Sequence, residues 1–300
     1  LGDRLMKKNV LKANINKETK YNLITIAAII VVYIVCQIMV SAGMMSYLMQ
    51  GLLVPFCYYS ILAVSLNLTV GILGELSLGQ AGFMCIGAFS SAFFSKCTAN
   101  IITNSFVRFT LAILIGALCA AIFGILIGVA VLRLRGDYLA IVTLAFGEII
   151  KNVLNAIFIG YDKNGLHFSL KDAASMNLQE DGVIIINGPQ GITGTPQDTN
   201  FTVSVLLLIL TFVIVVNLIN SRTGRAIMAI RDNRIAAEAM GIDVTKFRIL
   251  AFTVTAALAG VAGVLYAHNI SSLNATPKNF GYNMSIMILV FVVLGGIGNI

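Results

Sequence analysis

Long uncharged stretches divide the chain. Residues 21–74 carry no charge at all. A helix rises 1.5 Å per residue and a hydrocarbon core is about 30 Å thick, so about 20 apolar residues make one crossing. The run therefore holds two spans, placed at 21–40 and 48–70, with a turn at 41–47 and Pro55 inside the second. Further uncharged stretches predict spans at 76–95, 109–132, 138–159, 201–220 and 249–268, and an eighth begins at 282 and runs to 300. The fifth is interrupted by Glu148 and Lys151. The expected fold class is all-α, a polytopic transmembrane helix bundle with about eight spans. A basic tail at 1–20 precedes one transmembrane domain at 21–300. The chain starts at Leu1 and stops at Ile300 inside an apolar run, so further sequence is expected at one or both ends.

Between the spans the polar positions fall into two blocks. Residues 161–200 form a long loop with Asp162, Asp172, Glu180, Asp181 and Asp198 against Lys163 and Lys171. Loops of this length are functional or disordered more often than not. Within it, 183–186 reads as a strand, and Gly188-Pro189-Gln190-Gly191 is turn chemistry. A docking surface for an external partner and a passive connector both fit. The second block, 221–248, is a charged island between two apolar runs. Ile227, Met228, Ile230, Ile235 and Met240 alternate there with Arg231, Asp232, Arg234 and Glu238. This predicts an amphipathic helix broken near Asp232-Asn233 and stopped by Gly241. Arg234 and Glu238 form an i, i+4 pair. Its apolar face suits the membrane surface or a groove in another protein; its mixed charge signs weaken the lipid reading.

Composition sharpens this picture. Hydrophobic residues make up 58% and charged residues 11%, against about 25% charged in soluble domains. The mean hydropathy is +0.92. The net charge of +7 therefore orients a membrane protein and is not a footprint for nucleic acid. With the N-terminus in the cytosol, six spans return the chain to the cytosol at Ser221. The tail, Arg133, Arg135 and the island then place fourteen of the 20 basic residues inside. The five cysteines and two histidines show no CxxC or metal-ligand spacing, so neither a disulfide framework nor a metal site is expected.

Few residues carry recognisable chemistry. There is no GxxxxGK[ST] phosphate loop, so the chain is not expected to hydrolyse ATP, and no catalytic residues are expected. Glu148 lies 11 residues after Asp137, about 16 Å along a helix. A charge at that depth must face protein or water, and Lys151 at i+3 is its natural partner. A coupling or path-lining role and a paired charge that locks the span both fit. Gly71, Gly74, Gly79, Gly82 and Gly87 crowd the junction of the second and third spans. They suit close helix packing or a polar turn beside a translocation path, with Asn67, Ser77 and Gln80 as path candidates.

Several of these segments together resemble one family. GRAIMAIRDNRIAAEAMGIDVTKFRILAFTVTAALAGVAGVLYA resembles the cytoplasmic loop and following span of branched-chain amino acid ABC permeases of the LivM type. LNLTVGILGELSLGQAGFMCIGAF, LRLRGDYLAIVTLAFGEIIKNVLN, GPQGITG and MILVFVVLGGIGNI resemble further segments of that family, in order, across 48–300. The resemblance implies a permease subunit of an ATP-driven importer for leucine, isoleucine and valine in the bacterial inner membrane. It implies a second permease of the LivH type, two cytosolic ATPases that bind ATP and Mg, and an external binding protein. It puts Arg231, Asp232, Asn233, Glu238, Ala239 and Gly241 at the ATPase contact, and Gly188, Pro189 and Gly191 in the loop facing the binding protein. The order Glu238-Ala239-Met240-Gly241 departs from the longer EAAxxxG spacing of many importers. Other cargoes on the same machinery, such as urea, amides, other amino acids or sugars, remain open. So does a self-sufficient transporter or channel, for which Glu148 would be the strongest ion site.

Overall fold

The computed structural model describes residues 2–99, 101–131, 137–162, 165–176 and 182–298. Arg133, Arg135, Lys163, Glu180 and Asp181, used in the charge pattern above, lie outside them, as do the last two residues of the eighth span. Helix α1 (Gly2–Ser41) continues from the basic tail into the first apolar stretch, and α2 (Tyr47–Asn67) follows a short turn. The second span then departs from regular α geometry. A π-helical turn covers Leu68–Leu73 and ends at Gly74 in the left-handed region, φ 76°. Helices α3 (Gln80–Thr98), α4 (Ser105–Val131) and α5 (Asp137–Ala156) come next. The apolar run after α5 continues past it, but the chain leaves the helix there and enters strand β1 (Phe158–Asp162), where its backbone groups find sheet partners.

The described residues of the long loop contribute to two small antiparallel sheets. Strands β2 (Gly165–Ser169) and β3 (Val183–Asn187) flank β1, and β4 (Ile192–Thr193) pairs with β5 (Ser272–Leu273) from much later in the chain. The strand expected at 183–186 is β3; the pairing around it adds a β component to an otherwise helical bundle. The sheets and the segments beside them are fastened to the helices. Lys96 Nζ donates to Ile184 O at 3.0 Å, Asn155 Nδ2 to Ala275 O at 2.8 Å, and Arg108 forms an ion pair with Asp198 at 2.7 Å.

Helix α6 (Phe201–Asn220) leads to two short helices, α7 (Arg222–Asp232) and α8 (Arg234–Ala239). Helix α9 (Val244–Asn269) then crosses the bundle, and α10 (Pro277–Phe280) and α11 (Tyr282–Gly295) cross back. Among the described residues seven helices are long and apolar enough to cross a membrane. The remaining long helix, α3, crosses as well. The residue Glu75 just before it contacts Arg248 at the α7–α8 end, and Lys96 near its end reaches the sheet at the other. It tolerates Gln80, Ser91 and Ser95 because it is enclosed by other helices and needs no lipid-facing surface.

Helices α3, α4 and α9 form the core through small residues. A Cβ on Gly87 would lie 2.3 Å from Gly260 O, and one on Gly263 would lie 2.1 Å from Met84 O. Backbones this close exclude any side chain at those points. Phe83, Phe252 and Leu265 fill the space around them and are fully buried. Leu23, Val31 and Ile38 on α1 and Leu114, Leu118 and Leu126 on α4 face outward. Outward apolar residues along helices of crossing length suit lipid and not water. The protein is a multi-pass membrane protein.

Candidate functional site

The charged island folds as a two-helix platform at one end of the bundle. Ser221 caps α7 by accepting from Gly224 N at 3.1 Å. Ile227 turns inward onto Leu68, Ile72, Leu73 and Ala251, so the platform sits directly on the π-turn. Asn233 breaks the two helices. Its backbone is extended, φ −156°, and its side chain caps α8 by accepting from Ala236 N at 3.1 Å. Ala237 anchors α8 beside Ile230 and Val244. Gly241 adopts φ +81°, the left-handed region that closes a helix. The predicted break and stop thus lie where the sequence put them.

The residues implied at the ATPase contact divide into two groups. Asp232, Asn233, Glu238, Ala239 and Gly241 are exposed on the platform. Glu238 accepts from Arg234 at 2.9 Å, as the i, i+4 spacing predicts. Ile235 and Met240 stand out beside them at 80% and 83% exposure, the exposed apolar anchors of this surface. Arg231 differs: its Nη1 donates inward to Gly71 O at 3.0 Å, while Asp232 holds its other side at 3.2 Å. A cavity of about 570 Å³ opens between platform and bundle, lined by Gly74, Glu75, Asn233, Arg234, Glu238 and Arg248 among others. Glu75 forms an ion pair with Arg248 at its edge. Burial pushes the Glu75 carboxyl above its ordinary value, and Arg248 and then Arg234 oppose that rise. Sequence reading did not foresee the pairing of Glu75 with Arg248, nor the π-turn. An acid at the end of one apolar run and a base at the start of another was the available signal.

The four path candidates fall into three places. Gln80 is buried and its Nε2 donates to Ser65 Oγ at 2.6 Å. Ser77 is buried in the adjoining turn. Nearby, Leu78 N donates to Thr143 Oγ1 and Ala81 N to Ser285 Oγ. The structure thus gathers a polar seam where α2, α3, α5 and α11 meet; Ser65, Thr143 and Ser285 join it from separate spans. Asn67 is also buried and accepts from Gly298 N at 2.9 Å, tying α2 to the chain after α11. Glu148 stands apart from both. It pairs with Lys151, and its Oε1 accepts from Tyr282 N at 2.8 Å, the first residue of α11. The carboxylate therefore occupies the positive end of α11, where a helix has unpartnered N–H groups.

In the long loop, Gly188 and Gly191 are buried and Pro189 is exposed. Both glycines have positive φ, 48° and 68°, and a Cβ on Gly191 would lie 1.9 Å from Leu273 O. They shape the loop; Pro189 and Gln190 form its surface.

A family model described as branched-chain amino acid transport system / permease component matches residues 48–300. The high-affinity branched-chain amino acid transport system permease protein LivM of Salmonella typhimurium is 34% identical over 281 residues, covering 91% of this chain and 63% of that protein. LivM of Escherichia coli is 36% identical over 250 residues, covering 80% of this chain and 57% of that protein. The nucleoside ABC transporter permease protein NupC of Lactococcus lactis is 29% identical over 210 residues, covering 66% of this chain and 60% of that protein. The chain thus spans about 60% of the length of these curated relatives. No solved structure matches.

Proposed function

The chain belongs to the family of branched-chain amino acid transport permease components, and on that premise we propose that it is the permease subunit of an ATP-driven importer. In this reading it moves leucine, isoleucine and valine across a bacterial inner membrane, while separate cytosolic subunits bind ATP and Mg and hydrolyse the nucleotide. The observation that carries it is the platform. Two capped helices present Ile235, Met240, Asp232 and Glu238 to the surface and rest their other side on the second span. An exposed apolar pair rimmed by charge suits a protein partner. The platform end is cytosolic, since the basic residues concentrate there and in the tail. The sheet end then faces outward and receives a binding protein around Pro189.

A second permease of the LivH type covers α5 and α11. These helices turn Asn152 and Asn283 outward together with Ile149 and Ile286, and amides at membrane depth need protein or water opposite them. The solute crosses along the polar seam of Ser77 and Gln80, beside Asn67. A channel or ion-coupled transporter is less well supported, because Glu148 already has Lys151 and Tyr282 N as partners. Cargo is the one point where a second reading has a specific basis, the likeness to a nucleoside permease.

The test is reconstitution in liposomes with the neighbouring-gene ATPases, second permease and binding protein. ATP-dependent uptake of labelled leucine, competed by isoleucine and valine, is expected. Uptake of nucleosides with no leucine uptake would replace the cargo and keep the machine. Leucine uptake that runs without ATP would overturn the importer reading. Glu238→Arg is expected to abolish ATPase binding and leave membrane insertion intact.

A further inference from the structure

Arg231 lies in the middle of the platform's contact with the membrane domain, and its surroundings are unusually constrained. The last carbonyls of a helix have no partner inside it. At the end of the π-turn, Thr69 O receives Glu75 N at 3.1 Å, and Gly71 O receives the Arg231 guanidinium. Gly74 leaves room for the arginine stem: a Cβ there would lie 2.7 Å from Arg231 Cγ. Gly71 in turn is pressed against the chain after α11, since a Cβ on it would lie 2.3 Å from Gly298 N. That same Gly298 N donates to Asn67 Oδ1, one turn before Gly71. Three segments therefore meet at one point: the platform through the Arg231 side chain, and the π-turn of the second span and the chain after α11 through backbone on backbone at Gly71 and Gly298. π-turns inside helices concentrate at functional positions, and this one joins the platform to Asn67.

We propose that Arg231 is a positioning residue that carries movement of the α7–α8 platform to the π-turn and, through Gly71 and Gly298, to the Asn67 end of the solute path. It acts within its own chain and makes no contact to the ATPase. This rests on the importer reading above and adds a route for the coupling. A displacement of α7 shifts Gly71 O directly, because the guanidinium fork fixes direction as well as distance. The tight Gly71–Gly298 approach then passes the shift to α11, since nothing compressible lies between them. A contiguous contact is the physical basis of the proposal, and a coupling measurement is its proof.

The complete transporter, reconstituted with its partners, is assayed for three quantities: ATPase subunit binding, ATP hydrolysis and uptake per ATP. For Arg231→Ala, binding and hydrolysis are expected to stay within about twofold, and uptake per ATP to fall about tenfold or more. Arg231→Lys keeps the charge and loses the fork, so an intermediate value is expected. Gly74→Ala reaches the same contact from the membrane side without altering the exposed platform, and the same uncoupling is expected. ATPase binding lost in step with uptake in Arg231→Ala would make the residue a docking contact and overturn the proposal. So would unchanged uptake per ATP in both Arg231→Ala and Gly74→Ala. If the unaltered permease binds no ATPase at all, the importer reading itself fails, an outcome visible before any variant is made. Glu238→Arg serves as the docking control, with ATPase binding lost first.

Discussion

Glu148 illustrates how far a single residue can be read. Its depth and its i+3 lysine both pointed to a paired charge, and the pair is present. What spacing did not reveal was Tyr282 N, because a hydrogen bond across 134 residues leaves no local trace. The carboxylate holds a buried ammonium on one oxygen and the start of α11 on the other. Glu148→Gln keeps an acceptor for Tyr282 N but leaves Lys151, whose side chain is 7% exposed, without a counter-charge. A loss of about 2–3 kcal/mol is expected, somewhat below the usual value for a broken buried pair because Glu148 is itself partly exposed. Thermal unfolding of the purified chain in detergent measures it. Glu148→Gln combined with Lys151→Met removes the stranded charge and is expected to regain most of the stability. A single variant as stable as the parent yet unable to carry solute would move Glu148 into the path.

At the scale of elements, legibility followed the range of the interactions involved. The break between α7 and α8 was readable because Asn233 and Gly241 act on their own neighbours. Most of the spans were readable because lipid demands a long apolar run. The π-turn at Leu68–Leu73 was not, since its residues look like any apolar helix and its reason lies in Arg231 and Gly298. The sheet was seen only at β3; β1 shares the apolar run of α5, and β4 pairs with a strand about eighty residues later. The glycine crowding around α3 serves close approach at more than one point. Gly87 packs against Gly260, while Gly74 makes room for Arg231. Gly87→Val is therefore expected to force α3 and α9 apart and to destabilise the bundle by about 1–3 kcal/mol. A matched Gly51→Val control tests the inference. Gly51 is an exposed position of helix α2 with open space around it. Equal losses at the two sites, in thermal unfolding, would mean that packing of α3 on α9 is not what Gly87 provides.

For the whole molecule the two ends of the bundle differ in kind. One end carries small sheets and adjoining segments held to the helices through Lys96, Asn155 and Arg108. The other is a platform of two short helices that meets the spans through Arg231, Ile227 and the π-turn. A tethered face suits capture of a delivered partner, and a jointed face suits transmission of work. Both roles depend on which end faces the cytosol, since ATP is inside. The basic residues give the expected sign: the island alone carries Arg222, Arg225, Arg231, Arg234, Lys246 and Arg248, and basic segments tend to be retained on the cytosolic side. In a background whose five native cysteines are replaced, a cysteine at Asn233 is expected to react with a membrane-impermeant maleimide in inside-out vesicles only. A cysteine at Pro189 is expected to react in intact spheroplasts only. The opposite pattern would put the platform outside, beyond reach of any ATP-hydrolysing subunit, and the importer assignment would fall with it. Labelling of both sites from both sides would instead indicate that the chain inserts without a fixed orientation, which the charge asymmetry between the two ends argues against.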